Sequence, residues 1–262
     1  MLLRLGVGSI QVRVKCWGDI LKLTNFKVLA FDCYGTLIDW ERGMLQALRP
    51  LISLLETAHD DERVLEDYAV IEAAQEAETP GLVYPEILAR VHRRLAAKWG
   101  LEAPAEMADR FGASVPNWPA FADSASSLQY LAKYYKLVVL SNVHKQGFAA
   151  SNQHLEVSFD AIYCAEQIGS YKPDRRNFEY LIQAVARDFD IPRDKILHTA
   201  QSIFHDHIPA RAMGLANAWI DRRYDRDGWG ATKEPETQPT VDFRFNSMAD
   251  LVLAHQKALR QS

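Results

Sequence analysis

Residues 31–37 read Phe31-Asp32-Cys33-Tyr34-Gly35-Thr36-Leu37, and this heptapeptide decides how the fold is interpreted. It completes the apolar run Val28-Leu29-Ala30-Phe31, which is typical of a short strand buried on both faces. The strand therefore ends in a carboxylate, Asp32, followed by a turn that contains Gly35. In parallel α/β sheets the carboxyl ends of strands are where ligands bind, so Asp32 is placed like a nucleophile. The alternative is that Asp32 caps a tight turn, since Asp and Gly are ordinary turn residues.

Composition limits the classes of function. The chain has 262 residues, of which 48% are hydrophobic and 24% charged, with a net charge of −4. These values are typical of a globular protein of one large domain, or of a core with an insert, and show no nucleic-acid footprint. No segment approaches the roughly 18 consecutive apolar residues of a membrane span. We therefore expect a small-molecule substrate and no nucleic-acid or membrane partner, and a homodimer is one assembly that the sequence allows.

The cysteines indicate the compartment. Cys16, Cys33 and Cys164 are odd in number and widely spaced, which disfavours both a disulfide framework and a zinc site. Such usage fits a reducing compartment, and we predict a cytoplasmic protein. Residues 1–24 are basic and poor in acids, which is compatible with a transit peptide. We favour a plain leader or extension, because the segment has few serines and no clear cleavage signal.

After the first strand the pattern becomes helical and then returns to alternating strands and helices. Residues 41–119 contain four helical segments and no convincing strand, so we predict a helical cap inserted into the chain. Residues 25–40 and 120–262 then form the core domain. Repeated strand–helix units with short connections imply a parallel sheet covered on both faces. The predicted fold class is α/β, a doubly wound, Rossmann-like parallel-sheet core with an inserted helical cap.

Three further strand ends carry polar groups that could meet Asp32. They are Ser141-Asn142 after the second strand, Lys172 before Pro173 after the third, and Asp206 after the fourth. Taken singly, Ser141-Asn142 and Asp206 could cap helices, and Lys172 could be a surface lysine. Four polar strand ends in one sheet are harder to explain as separate caps, and this convergence predicts a site.

The order Asp-x-Tyr-Gly-Thr, Ser-Asn, Lys-Pro and an Asp opening a helix resembles the haloacid dehalogenase superfamily. Tyr34, in the place where phosphatases similar to this family carry Asp, looks most like the 2-haloacid dehalogenase (type II) branch, and the insert looks like the four-helix cap of that branch. The resemblance covers residues 26 to about 260.

The resemblance implies roles at the matching positions. Asp32 would be the nucleophile that forms an aspartyl ester, and Thr36 would orient its carboxylate. Lys172 would pair with Asp32 and hold it ionised, and Asp206 would position Lys172 and the hydrolytic water. The implied activity is metal-independent hydrolysis of a small 2-substituted carboxylate, above all dehalogenation of a 2-haloacid.

The same resemblance assigns the substrate contacts. Ser141 and Asn142 would contact the substrate carboxylate and the departing halide, and Tyr34 would line the pocket. We expect no cofactor and no metal site, because Tyr34, Ser202 and His205 leave few of the hard oxygen ligands that Mg²⁺ needs. The rival functions are a Mg²⁺-dependent small-molecule phosphatase and a catalytically weak binding protein on the same scaffold.

The chain also departs from the branch. No arginine occurs from Val64 to Ala89, where the branch has the Arg that clamps the substrate carboxylate; this stretch carries glutamates instead, among them Glu66, Glu72, Glu76 and Glu78. Arg63, Arg90, Arg93 and Arg94 flank it. Phe178 replaces a Tyr, and Gln201-Ser202-Ile203 replaces Ser-x-Asn. We favour His205 and His207 as surface histidines at a helix terminus, the alternative being a polar role for His205 in the site.

Overall fold

The computed structural model describes residues 21–57 and 59–261, and its centre is a parallel sheet of six strands in the order β3-β2-β1-β4-β5-β6. The strands β1 to β6 are Val28–Phe31, Lys136–Ser141, Ala161–Cys164, Ile196–Ala200, Ala216–Ile220 and Phe243–Phe245. Strand β1 lies between β2 and β4, so the strand order reverses there. A crevice at the carboxyl ends of the strands is expected at such a reversal. The predicted doubly wound α/β core is confirmed.

Ten α-helices lie in the described part of the chain and surround this sheet or stand above it. Helices α1 to α10 are Trp40–Ile52, Asp61–Glu78, Tyr84–Lys98, Ala105–Gly112, Ser124–Leu131, Lys145–Leu155, Ala165–Ile168, Arg175–Phe189, Ile208–Ala212 and Met248–Arg260. Helices α1 to α4 all fall between β1 and β2, in the stretch predicted as a helical cap. No described helix is both long and apolar enough to span a membrane.

The central strand forms because its side chains are buried on both faces. All four residues of β1 are at most 1% exposed, which explains why the run is continuously apolar rather than alternating. Leu23, in the segment predicted as a leader or extension, is also buried in the core, and its carbonyl accepts a hydrogen bond from Tyr135. The rest of that prediction, residues 1–20, lies outside the described residues.

The two chain segments that join the cap to the core run side by side. Ile38 and Ala120 form an antiparallel bridge, the amide of Asp39 donates to the carbonyl of Pro119 at 2.8 Å, and that of Phe121 donates to Leu37 at 3.1 Å. We call residues 37–39 and 119–121 the connecting ribbon.

Close packing secures the cap beside this ribbon. Gly43 of α1 lies against the indole of Trp118, and a Cβ at position 43 would be 2.5 Å from that ring. Helix α1 can approach this closely because position 43 has no side chain.

Helix α2 buries polar residues as well as apolar ones. Its Val64, Leu65 and Tyr68 pack in the hydrophobic core, whereas Glu72 and Glu76 are 4% and 5% exposed and face the sheet. The helix therefore has no single apolar stripe. The buried acids mark the side of the cap that looks onto the carboxyl ends of the strands.

The region after β4 differs from the prediction. We expected Asp206 to open a helix, but residues Ile203–His207 form a π-helical turn that continues into α9. Ser202 is the N-cap, and its hydroxyl accepts a hydrogen bond from the amide of His205 at 2.9 Å. A side-chain oxygen at the start of the turn thus does the capping. Asp206 is inside the turn and is free to point toward β1.

Candidate active site

Lys172 joins two carboxylates at the carboxyl ends of the strands. Its Nζ lies 2.8 Å from Asp32 Oδ1 and 2.8 Å from Asp206 Oδ1, and it also donates to the carbonyl of Leu140 at 3.1 Å. Asp32, Lys172 and Asp206 are 6%, 2% and 1% exposed. Three residues far apart in the sequence therefore form one buried ionic cluster. Buried charged groups are generally paired in this way, because an unpaired charge in a protein interior is very unfavourable.

Burial and charge oppose each other in this cluster. Burial disfavours the ammonium of Lys172, yet Asp206 and Asp32 raise its pKa above the usual range. Burial also disfavours a charged Asp206, but Lys172 and the hydrogen bond from His198 hold the pKa of this carboxyl far below normal. At Asp32 burial dominates and raises the pKa, although Lys172 opposes the shift. Asp32 is therefore a poorly solvated carboxylate beside a permanent cation, which suits a nucleophile.

Thr36 fixes the other oxygen of Asp32. Its hydroxyl donates to Asp32 Oδ2 at 2.7 Å and accepts a hydrogen bond from the amide of Gln201 at 2.9 Å. The turn from Asp32 to Thr36 passes through Gly35, whose φ of +91° is a backbone conformation that residues with a side chain rarely adopt. Both carboxylate oxygens of Asp32 are thus held in place from opposite sides.

His198 is a site residue that sequence reasoning missed. It lies in β4, fully buried, and its Nε2 is 2.8 Å from Asp206 Oδ1. Because the carboxylate only accepts, this nitrogen carries the proton. Asp206 Oδ2 has no hydrogen-bond partner among the described residues and remains available. A histidine in an otherwise apolar buried strand was the signal that could have revealed it.

Asn142 and Ser141 follow β2. The Asn142 amide accepts from the Lys172 backbone N–H at 2.7 Å and donates to the Lys172 carbonyl at 3.1 Å, so it positions the main chain of the lysine. It also donates to both oxygens of Glu76 at 3.3 Å. The Ser141 oxygen accepts a long hydrogen bond of 3.4 Å from Val143, which leaves its own proton available to a ligand.

Tyr34 stands at the side of the site. Its hydroxyl is 2.8 Å from Ser151 Oγ, and its ring meets Trp118 edge-on with centroids 5.6 Å apart. Burial raises the pKa of the phenol well above normal, so Tyr34 is neutral. It contributes a rigid, uncharged wall.

A cavity of about 50 Å³ lies between the cap and these strand ends. Six of the seven residues predicted for the site line it: Asp32, Tyr34, Ser141, Asn142, Lys172 and Asp206. Thr36, the seventh, supports Asp32 from behind. The cap and the long loop after β5 supply further lining residues that were not predicted for the site, namely Trp40, Glu72, Glu76, Tyr84 and Thr232.

The cap side of the cavity is acidic. Glu72 Oε1 accepts hydrogen bonds from the hydroxyls of Tyr68 at 2.7 Å and Tyr84 at 2.6 Å. Burial raises the pKa of Glu72 to about 7, and burial together with the charge of Glu72 raises that of Glu76 well above normal. We call Glu72 and Glu76 the acidic pair.

The arginines flanking this segment lie elsewhere. Among the described residues, no arginine lines the cavity. Arg63 pairs with Asp67, Arg93 with Asp109 and Arg94 with Glu78, while Arg90 is exposed. A bidentate arginine contact to a substrate carboxylate is therefore not built into this cavity.

The prediction for His205 and His207 was wrong. His207 is fully buried and its Nε2 donates to the carbonyl of Ala200 at 2.9 Å. His205 lines the cavity, and burial lowers its pKa to about 4, so it is neutral. The reason is the π-helical turn, which carries both side chains inward rather than along an exposed helix end.

Comparison with solved structures places this fold among known proteins. An L-2-haloacid dehalogenase is 22% identical, with a TM-score of 0.69 over 90% of this chain and 100% of the other. One from Xanthobacter autotrophicus, with chloropropionic acid covalently bound, is 16% identical with a TM-score of 0.70 over 88% and 98%. The HAD-hydrolase YfnB from Bacillus subtilis, bound to magnesium, is 16% identical with a TM-score of 0.68 over 88% and 99%. At these identities the likeness establishes a shared fold.

Sequence comparison identifies the family. Curated proteins yield no match. A model of the haloacid dehalogenase-like hydrolases matches residues 26–198, which is more than half of the chain and includes Asp32, Ser141, Asn142 and Lys172. The resemblance inferred from the motifs is thereby confirmed, and the chain belongs to the haloacid dehalogenase-like hydrolase family.

Proposed function

We propose that this protein is a metal-independent hydrolase that acts at carbon through an aspartyl ester on Asp32. Hydrolytic dehalogenation is the proposed reaction, and the 2-haloacids expected from the sequence are the first substrates to assay. The observation that carries the proposal is the buried cluster in which Lys172 Nζ lies 2.8 Å from both Asp32 and Asp206. It supplies a fixed, desolvated carboxylate together with a cation that keeps it ionised.

In the first step a carboxylate oxygen of Asp32 attacks the carbon that bears the leaving group. The new C–O bond forms as the carbon–halogen bond breaks, and the halide leaves with the bonding electrons. Thr36 and Lys172 fix the orientation of the nucleophile, which is the main source of rate in such a displacement. The hydroxyl proton of Ser141 is available to the departing anion.

In the second step water attacks the carbonyl carbon of the aspartyl ester. The free Oδ2 of Asp206 can accept a hydrogen bond from that water, while Lys172 stabilises the oxyanion that develops on Asp32. Collapse of the intermediate breaks the bond between acyl carbon and ester oxygen, so the alcohol product leaves. Asp32 then retains one oxygen from water, one proton of that water goes to the departing alkoxide oxygen to give the alcohol, and the other proton passes to solvent.

Magnesium is bound to one solved structure of similar fold, the HAD-hydrolase YfnB. Asp32 and Asp206 are the strand-end carboxylates, and both already accept hydrogen bonds from Lys172. Within residues 21–57 and 59–261, no group of three His, Cys, Asp or Glu side chains is placed to hold a metal ion. The residues present do not fit Mg²⁺, which needs several oxygen ligands in near-octahedral geometry. This supports a route without metal over phosphoryl transfer.

The cysteines and the cavity support a proposal for the cellular compartment and the partner of the protein. Cys33 and Cys164 are both free and buried, which supports a reducing compartment, and we propose the cytoplasm. A small-molecule substrate is the proposed partner, in keeping with the small cavity.

A single turnover in ¹⁸O-labelled water tests the mechanism. Excess enzyme is mixed with L-2-chloropropionate in EDTA, halide is measured, and the Asp32 peptide is analysed by mass spectrometry. We expect halide release and one labelled oxygen in Asp32. Halide release without label would show direct attack by water and would exclude the aspartyl ester. The same assay is repeated with 3-chloropropylamine, 1-chlorobutane and 3-chloropropionate, so that the test of the mechanism does not depend on one substrate.

A further inference from the structure

We propose that Glu72 and Glu76 form a cation-binding end of the active-site cavity, so that the preferred substrate carries a protonated amine near the carbon attacked by Asp32. This inference rests on the proposed function for its reaction and adds the charge of the substrate. It replaces the carboxylate expected from the sequence by the opposite charge.

The acidic pair faces the cavity because of its spacing on α2. Glu72 and Glu76 are four residues apart, so they lie on one face of the helix. Both line the cavity together with Asp32 and are at least nine-tenths buried. Glu66 and Glu78 on the same helix are exposed. The two groups of glutamates therefore have different surroundings.

Hydrogen bonds leave the acidic pair ready to accept more. Each described side chain that forms a hydrogen bond with the pair donates to it: Tyr68 and Tyr84 to Glu72, and Asn142 to Glu76. Glu72 Oε2 receives no hydrogen bond from any described residue. A carboxylate oxygen that lines a cavity and lacks a donor is a binding position for a ligand N–H.

The charges in the cavity lack a second cation. Lys172 is the one lysine or arginine among the described residues that line it, and it is already paired with Asp32 and Asp206. Neither member of the acidic pair forms an ion pair with a described residue. Buried carboxylates without a cation are unfavourable, and a bound ammonium would provide one. A substrate carboxylate would instead be repelled by either of these acids in its ionised form.

The cavity also limits the size of the substrate. A cavity of about 50 Å³ favours a small substrate over a bulky one. A groove of about 640 Å³ between α2 and the core shares Glu76, Lys172 and His205 with the cavity and offers an approach from solvent. Glu76 thus lies where this approach meets the cavity that contains Asp32.

Three chlorides of similar length test the proposal by their charge. Halide release is measured with 3-chloropropylamine, 1-chlorobutane and 3-chloropropionate. We expect kcat/KM for the amine to exceed that for each of the others by about tenfold or more. Glu72→Gln and Glu76→Gln should each lower the amine-to-chlorobutane ratio by about tenfold, whereas the exposed control Glu66→Gln should leave it unchanged. A preference for 3-chloropropionate, or for L-2-chloropropionate, would overturn the inference and leave the aspartyl-ester mechanism standing.

Binding without turnover separates the two proposals. Calorimetry of the wild-type protein with n-propylammonium and with propionate measures recognition of charge alone. Tighter binding of n-propylammonium supports the inference even if no chloride is hydrolysed, a result that would sink the proposed function only. Tighter binding of propionate overturns it. Circular dichroism shows whether the glutamine variants fold, and the wild-type comparison stands if they do not.

Discussion

His198 donates a hydrogen bond to Asp206 at 2.8 Å, and both side chains are buried beneath the cavity. The imidazole shares Asp206 Oδ1 with Lys172, so it helps to orient the carboxylate that we propose faces the hydrolytic water. His198 does not line the cavity and its hydrogen bond goes to Asp206, so we assign it as a positioning residue.

Replacing His198 should slow the second half of the reaction. In His198→Leu, Asp206 keeps Lys172 as its donor but loses its lateral support, and we expect kcat to fall by about tenfold or more. Because ester hydrolysis suffers more than ester formation, mass spectrometry should show the aspartyl ester accumulating on Asp32. His92→Leu, at another buried histidine outside the site, is the control. Equal loss in both variants would point to general destabilisation instead.

Asp32→Asn should abolish turnover without weakening the fold. The amide has the same shape but is a far weaker nucleophile, and it removes a carboxylate whose pKa burial raises. We expect no halide release and a free energy of unfolding at least equal to that of the wild type. Chemical denaturation and a halide assay check both parts. Residual halide release would remove Asp32 from the mechanism.

Lys172→Met should damage both activity and stability. The variant leaves Asp32 and Asp206 as two buried carboxylates without their cation, a defect that typically costs about 3–5 kcal/mol. Loss of the ammonium should also lower kcat by about 100-fold or more. Urea denaturation and steady-state kinetics measure these effects, with Lys133→Met on the exposed surface as the control. A loss of less than tenfold would contradict the pairing with Asp32.

Glu72 should make stability depend on pH. Burial raises its pKa from 4.5 to about 7, so between these values the folded state binds more protons than the unfolded state. Stability therefore falls as pH rises from about 4.5 to 7, by up to about 3 kcal/mol from this group. The charged and titratable groups facing it are Tyr68, Tyr84, Glu76, Lys172 and Asp32.

Denaturation at a series of pH values checks this dependence, and Glu72→Gln should flatten it. Binding of n-propylammonium should show the opposite trend and strengthen as pH rises through about 7, because the ionised form of Glu72 attracts the cation. A stability curve that is the same in wild type and Glu72→Gln would refute the assignment.

Much of the core could be predicted because local pattern and topology agree there. The apolar run Val28–Phe31 predicts a buried strand, and polar residues at the ends of neighbouring parallel strands must converge. Asp32, Ser141, Asn142, Lys172 and Asp206 meet for this reason.

Other parts of the site depend on tertiary contacts that leave no local pattern. Acidic residues on a helix usually face solvent, and only packing of α2 over the strand ends separates Glu72 and Glu76 from the exposed Glu66. His198 bonds to Asp206, which lies eight residues further along the chain within a π-helical turn, and no periodicity of the sequence indicates this pairing.

The connecting ribbon gives the cap and core a shared axis. Residues 37–39 and 119–121 are hydrogen-bonded to each other, so the connecting ribbon is one narrow link between cap and core and not two independent segments. If the cap rotates about the connecting ribbon, Glu72 and Glu76 move with α2, whereas Asp32, Lys172 and Asp206 stay with the sheet. Closure then brings the acidic pair and Asp32 onto the substrate together. The same motion tests the charge of the substrate and excludes water from the site.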